Sequence, residues 1–138
     1  MTKLAPLAAI AAAALGLGAA SMAAADDTPR GEARLAKMLE GRVAGEPQSC
    51  INTFPSRALT QIDDTALVYR DGRTLWVNRT RTPDAIDDDD YLLIRRFGGT
   101  RLCRTDQVET YSRVANFFSG VIFLDDFVPY RLPDDTDG

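Results

Sequence analysis

The chain has 138 residues, with 20 acidic against 16 basic side chains and no histidine, for a formal charge of −4. That length suits one domain, and the acidic balance argues against nucleic acid or an anionic membrane surface as a partner. Without histidine there is no Ser-His-Asp or Cys-His catalysis and no His-based metal site; neither a P-loop nor a dinucleotide-binding glycine fingerprint occurs, so no cofactor is expected.

The first element is a targeting segment. Lys3 supplies a positive start, residues 4–20 are rich in Ala and Leu and carry no charge, and Ala23, Ala24 and Ala25 are small. Charge resumes at Asp26. This is the pattern of a secretory signal peptide over residues 1–25, which predicts a periplasmic or secreted protein with no stable membrane insertion after cleavage.

Residues 26–47 read as a leader and an N-terminal helix. Thr28 is a candidate cap, with Pro29 at the first helical position. Leu35, Met38, Leu39 and Val43 follow at helical spacing, with charged residues between them. Gly41 or Gly45 can end the helix, and Pro47 prevents its resumption.

Residues 48–132 read as a β-rich domain closed by a disulfide. Cys50 and Cys103 are the only cysteines. In an exported chain such a pair is a structural bridge, and no C-x-x-C redox motif is present. Strands are predicted over residues 58–62, 66–70, 73–79, 91–97, 107–113, 121–124 and 127–132, and residues 101–104 hold the second cysteine. Asp71-Gly72 is the strongest hairpin signal. A two-residue turn there pairs Val68 with Leu75 and Ala66 with Val77 on one face, and Leu67 with Trp76 and Tyr69 with Thr74 on the other. Both faces are apolar, so the hairpin is either covered on both sides or leaves an exposed patch. Residues 116–120, with Phe117 and Phe118, read as a turn or loop. Pro129 inside the last strand marks it as an edge or irregular strand. Residues 133–138 form a polar tail. The expected fold is α+β, mainly β, with one N-terminal helix followed by a small antiparallel sheet curled into a barrel or sandwich.

Four short motifs occur in order: Cys50-Ile51; Ile62-Asp63-Asp64-Thr65 before the hairpin; Leu102-Cys103-Arg104-Thr105-Asp106; and Phe127-Val128-Pro129-Tyr130. In order and spacing the chain resembles an uncharacterised domain family of small exported proteobacterial proteins, a domain of unknown function. Members often carry a further cysteine pair, with one cysteine shortly before the terminal Phe-x-Pro segment. Here that stretch reads Gly120-Val121-Ile122-Phe123-Leu124. The resemblance implies export and a β-rich fold and brings no catalytic residue with it.

Asp84 and the run Asp87, Asp88, Asp89 and Asp90 could gather oxygen ligands for calcium, although adjacent aspartates do not converge by themselves and no EF-hand pattern follows. The ordinary reading is a solvated loop. Asp63-Asp64 and Asp125-Asp126 are carboxylate pairs, but a glycosidase needs its two carboxylates roughly 5–9 Å apart across a cleft. Turn chemistry explains such neighbours. Leu67, Tyr69 and Trp76 share one hairpin face and form a candidate binding patch if exposed, or core if covered. Arg95-Arg96, and Arg79 with Arg81, are candidates for an anionic ligand, with nearby aspartates as everyday ion-pair partners. The expectation is therefore an exported β-rich module with no catalytic residues. It would act as a binding or accessory protein of the cell envelope, with an envelope protein or carbohydrate as partner. The alternatives are an Asp-dependent hydrolase and a calcium-stabilised module.

Overall fold

The computed structural model describes residues 29–54, 56–96 and 99–136. The signal segment, the Thr28 cap, and Phe97 and Gly98 at the end of a predicted strand lie outside them. Helix α1 (Arg30–Met38) is the first described element and is followed by strands β1 (Val43–Ala44), β2 (Cys50–Asn52), β3 (Thr60–Ile62), β4 (Ala66–Asp71) and β5 (Thr74–Asn78). Then come β6 (Asp90–Arg95), β7 (Arg101–Cys103), β8 (Gln107–Ser112), β9 (Phe118–Phe123) and β10 (Phe127–Arg131).

Helix α1 starts directly after Pro29, whose carbonyl accepts the Ala33 amide at 3.1 Å. Its stripe is shorter than the spacing suggested. Leu35, Met38 and Leu39 reach the sheet, but Val43 does not belong to the helix. Gly41 adopts φ +72° and turns the chain, so Val43 enters β1 opposite Arg131 and is exposed. At the other end Gly31 is buried against Thr65 and the Asp63 carbonyl oxygen. A Cβ there would run into both, which is why the helix can lie so close to the β3–β4 turn.

The hairpin forms, but its turn is Gly72-Arg73 rather than Asp71-Gly72, and Asp71 pairs with Thr74. Gly72 has φ +57° at the first central position, the backbone that a Gly-X turn requires. Each partner therefore moves by two residues: Val68 faces Val77 and Tyr69 faces Trp76. A shift of two leaves each side chain on its expected face, because side chains alternate with a period of two.

All pairings are antiparallel, and they make three sheets: β1-β10-β5-β4-β3, β2-β7 and β6-β8-β9. The expected barrel does not close. Where β3 and β6 come together, side chains replace a main-chain ladder: the Gln61 amide of β3 donates to the carbonyl oxygens of Asp87, at 2.6 Å, and Asp90, at 3.2 Å. The five-stranded sheet is instead a central layer. Helix α1 covers one face, over Ile62, Ala66, Val68, Leu75 and Val77. The two smaller sheets cover the other, where Leu67, Tyr69 and Phe127 meet Ile51 and Leu102 from β2-β7 and Val108 and Ile122 from β6-β8-β9.

Strand β10 is not an edge strand; it lies between β1 and β5. Pro129 is tolerated because its carbonyl oxygen accepts the Gly45 amide at 2.7 Å, so its nitrogen, on the same side of the strand, faces the end of the two-residue β1. The segment predicted as a turn or loop over residues 116–120 also differs. Asn116 adopts φ +51° in the turn, and β9 begins at Phe118, opposite Tyr111 across an irregular register.

Candidate functional site

The disulfide is present. Cys50 and Cys103 stand directly opposite in the β2-β7 pair, with Cα atoms 4.0 Å apart. The candidate patch on the hairpin is not a surface. Leu67 and Tyr69 are each 1% exposed, because the smaller sheets pack on that face. The Tyr69 hydroxyl oxygen accepts the Phe54 amide at 2.9 Å. Only Trp76 remains half-buried, with the Arg131 guanidinium 5.8 Å from its ring centre.

The acidic residues are gathered differently from their order in the chain. Asp84 lies exposed in a short 3₁₀ turn, and Asp87, Asp88 and Asp89 are exposed in the following loop, whereas Asp90 is buried at the start of β6. The β3–β4 turn brings in Asp63. Carboxylate oxygens of Asp63, Asp87 and Asp88 lie within 4.8 Å of one another. Much of this carboxylate capacity serves the loop itself: Asp63 accepts the Asp88 amide at 2.6 Å, and Asp87 accepts the Asp89 amide at 2.9 Å. Repulsion from Asp63 is the largest influence raising the Asp88 pKa, with partial desolvation and Asp89 adding to it, while Arg34, 3.8 Å away, opposes it. The raised value means that ionised Asp88 costs stability at neutral pH, and that the cost disappears once acid protonates it in both states. Asp88→Asn should therefore raise the melting temperature slightly at pH 7. The gain should fade as the pH falls to the ordinary carboxylate range, as thermal melts at several pH values would show. A lower melting temperature for the variant at pH 7 would mean that the Arg34 pairing outweighs the repulsion.

The arginines singled out in the sequence separate. Arg79 pairs with Glu32, Arg95 with Glu109 at 3.0 Å, and Arg81 lies over the Phe123 ring. Asp126, from the second carboxylate pair, takes Arg104 at 3.2 Å.

A surface that the sequence reading missed is the outer face of β6-β8-β9. The register places Tyr91 beside Tyr111, Leu93 beside Glu109, and Tyr111 beside Phe118. Leu92, Ile94, Val108 and Ile122 on the same strands turn inward to the core. The Tyr91 and Tyr111 rings stack at 5.5 Å, and Tyr111 meets Phe118 edge to face at 5.8 Å. Phe118 is 53% exposed, Phe123 51%, Leu93 42% and Tyr91 37%. Polar groups hold the rings in place. Tyr91 donates to Asn116 at 2.6 Å, and Glu109 accepts both the Tyr111 hydroxyl at 2.9 Å and Arg95 Nε at 3.0 Å. The Tyr111 hydrogen bond, followed by Arg95, lowers the Glu109 pKa, and the same bond raises that of Tyr111. The signal for this surface was in the sequence. Tyr91-Leu92-Leu93-Ile94 is apolar at both parities, so a strand there presents apolar side chains to both faces.

Compared with known proteins, the chain matches no family model, no curated protein and no solved structure. Among the described residues no helix is long and apolar enough to cross a membrane.

Proposed function

We propose that this chain is an exported, disulfide-closed module that performs no chemistry itself and binds a protein of the cell envelope through the outer face of β6-β8-β9. The observation that carries the reading is the aromatic row Tyr91-Tyr111-Phe118, exposed alongside Leu93 and Phe123. Aromatic side chains dominate the energetics of protein interfaces. Because Tyr91 and Tyr111 cover each other's ring faces, a flat sugar ring has less open π-surface to stack on, which favours a protein over a carbohydrate. Export is supported by the disulfide, a bond of oxidising compartments, by the signal-like residues 1–25, and by the motif resemblance.

The test is co-purification from the cell envelope, with mass spectrometry, of the wild-type chain and a Tyr111→Ser/Phe118→Ser variant. The expected result is an envelope protein recovered with the wild type and at least tenfold depleted with the variant, while the variant keeps its disulfide and a cooperative melt. Equal recovery with both chains would sink the reading, and a glycan in place of a protein would reassign the partner.

A second reading, a calcium-stabilised loop, is favoured by the convergence of Asp63 with Asp87 and Asp88. It requires the melting temperature to rise with calcium and to fall again with a chelator.

A further inference from the structure

Between the edge strands β3 and β6 opens a cavity of about 340 Å³, within the range of small-molecule sites. Leu92 and Ile94 form an apolar wall, and Tyr69 lines the interior. Three arginines, Arg57, Arg96 and Arg113, also line it. Among the described residues no carboxylate does, although the chain has more acids than bases.

The three cations are not equally occupied. Arg57 is matched by Asp71 at 3.4 Å and lies over the Phe54 ring. Arg113 spends its Nε on the Asp90 carbonyl oxygen at 3.3 Å and has no ion pair among the described residues. Arg96 is half-buried, with neither an ion pair nor a hydrogen bond among them. A partly desolvated guanidinium is stabilised when an anion completes its donor fork. Tyr69 adds a neutral donor: its oxygen already accepts the Phe54 amide, which leaves the hydroxyl proton to be given.

We infer that this cleft is a binding site for a small amphipathic carboxylate. Its aliphatic body lies against Leu92 and Ile94, and its head is held by Arg96 and Arg113 with the Tyr69 hydroxyl. The planar guanidinium fork matches a carboxylate in two parallel hydrogen bonds. The apolar wall is what distinguishes this ligand from a bare anion. The cavity meets the aromatic face proposed to bind protein only at Tyr91, which lines both, whereas Tyr111 and Phe118 do not line the cavity, so either reading can fail alone.

Isothermal titration of the oxidised chain with decanoate, decanol and inorganic phosphate tests the assignment. Decanoate should bind saturably at one site, with decanol and phosphate each at least tenfold weaker. Arg96→Gln and Arg113→Gln should each weaken decanoate by about tenfold or more, the scale of one charge-assisted hydrogen bond. Arg131→Gln, at Trp76, should bind like wild type, as should the Tyr111→Ser/Phe118→Ser variant. Absence of saturation, wild-type affinity in both Arg96→Gln and Arg113→Gln, or phosphate binding as tightly as decanoate would each overturn the assignment.

Discussion

Replacing both cysteines, Cys50→Ala/Cys103→Ala, should lower the unfolding free energy by about 4 kcal/mol, the chain-entropy value for a closed loop of this size. The bond spans 53 positions and encloses β3, β4, β5 and β6. It also holds a pairing too short to persist alone: β2 and β7 are three residues each, and isolated two-stranded sheets are marginal in water. Supporting contacts flank it. Arg104 N–H donates to Ser49 O at 2.9 Å, Thr53 N–H to Thr100 O at 2.7 Å, and Cys103 N–H to the buried Asp106 carboxylate at 2.7 Å. The first two contacts register the two strands and the third fixes the turn after β7, but none restricts the unfolded chain, so they cannot replace the crosslink. Set against a typical total of about 5–15 kcal/mol, the loss is a large share of the stability. Urea unfolding of the double variant beside the oxidised wild type measures it. A loss below about 1 kcal/mol would show that the strand contacts, and not the covalent link, hold this region.

Phe127→Ala should cost about 3–5 kcal/mol, the range for deleting a buried phenyl ring. Phe127 is 1% exposed and sits where β10 meets both smaller sheets. Its surroundings have little freedom to close over the vacancy. Its amide and carbonyl exchange hydrogen bonds with Gln48 at 2.8 Å in each direction, and it pairs with Asn78 on the other side. Asn78 is in turn fully buried and anchored: its side chain donates to Asp125 O at 2.6 Å and accepts the amides of Thr80 and Asp125. A cavity that cannot collapse forfeits the dispersion contacts of its lining. Phe118→Ala is the internal contrast. It removes the same ring from an exposed position and should change stability by less than about 1 kcal/mol. Equal losses for the two variants would mean that the aromatic outer face is itself part of the folding core.

The helix, most strands, the hairpin and the disulfide were legible because each depends on nearby residues: an apolar stripe at helical spacing, β-branched and aromatic runs, Asp-Gly at a reversal, and the only two cysteines of the chain. The errors fall where a local pattern has two outcomes of similar merit. Asp71-Gly72-Arg73 can reverse around either dipeptide, and the positive φ of Gly72 at the first central position decided it. Pro129 signals an edge, yet a two-residue strand beyond it is enough to make β10 internal. Asp63 stands 24 and 25 positions from Asp87 and Asp88, and only the packing of the β3–β4 turn against the following loop brings their carboxylates together.

The sequence by itself determined the class of the molecule: a mainly β chain with a helix, stapled by its two cysteines and lacking histidine chemistry. Alternation also established which side chains share a face, because a strand's two sides follow from its dihedral angles alone. It could not say which face is covered. Leu67 and Tyr69 became core and Tyr91, Tyr111 and Phe118 became surface only when the smaller sheets settled on one side of the five-stranded sheet. Burial depends on what the rest of the chain brings to that face, and this information is not contained in any local stretch.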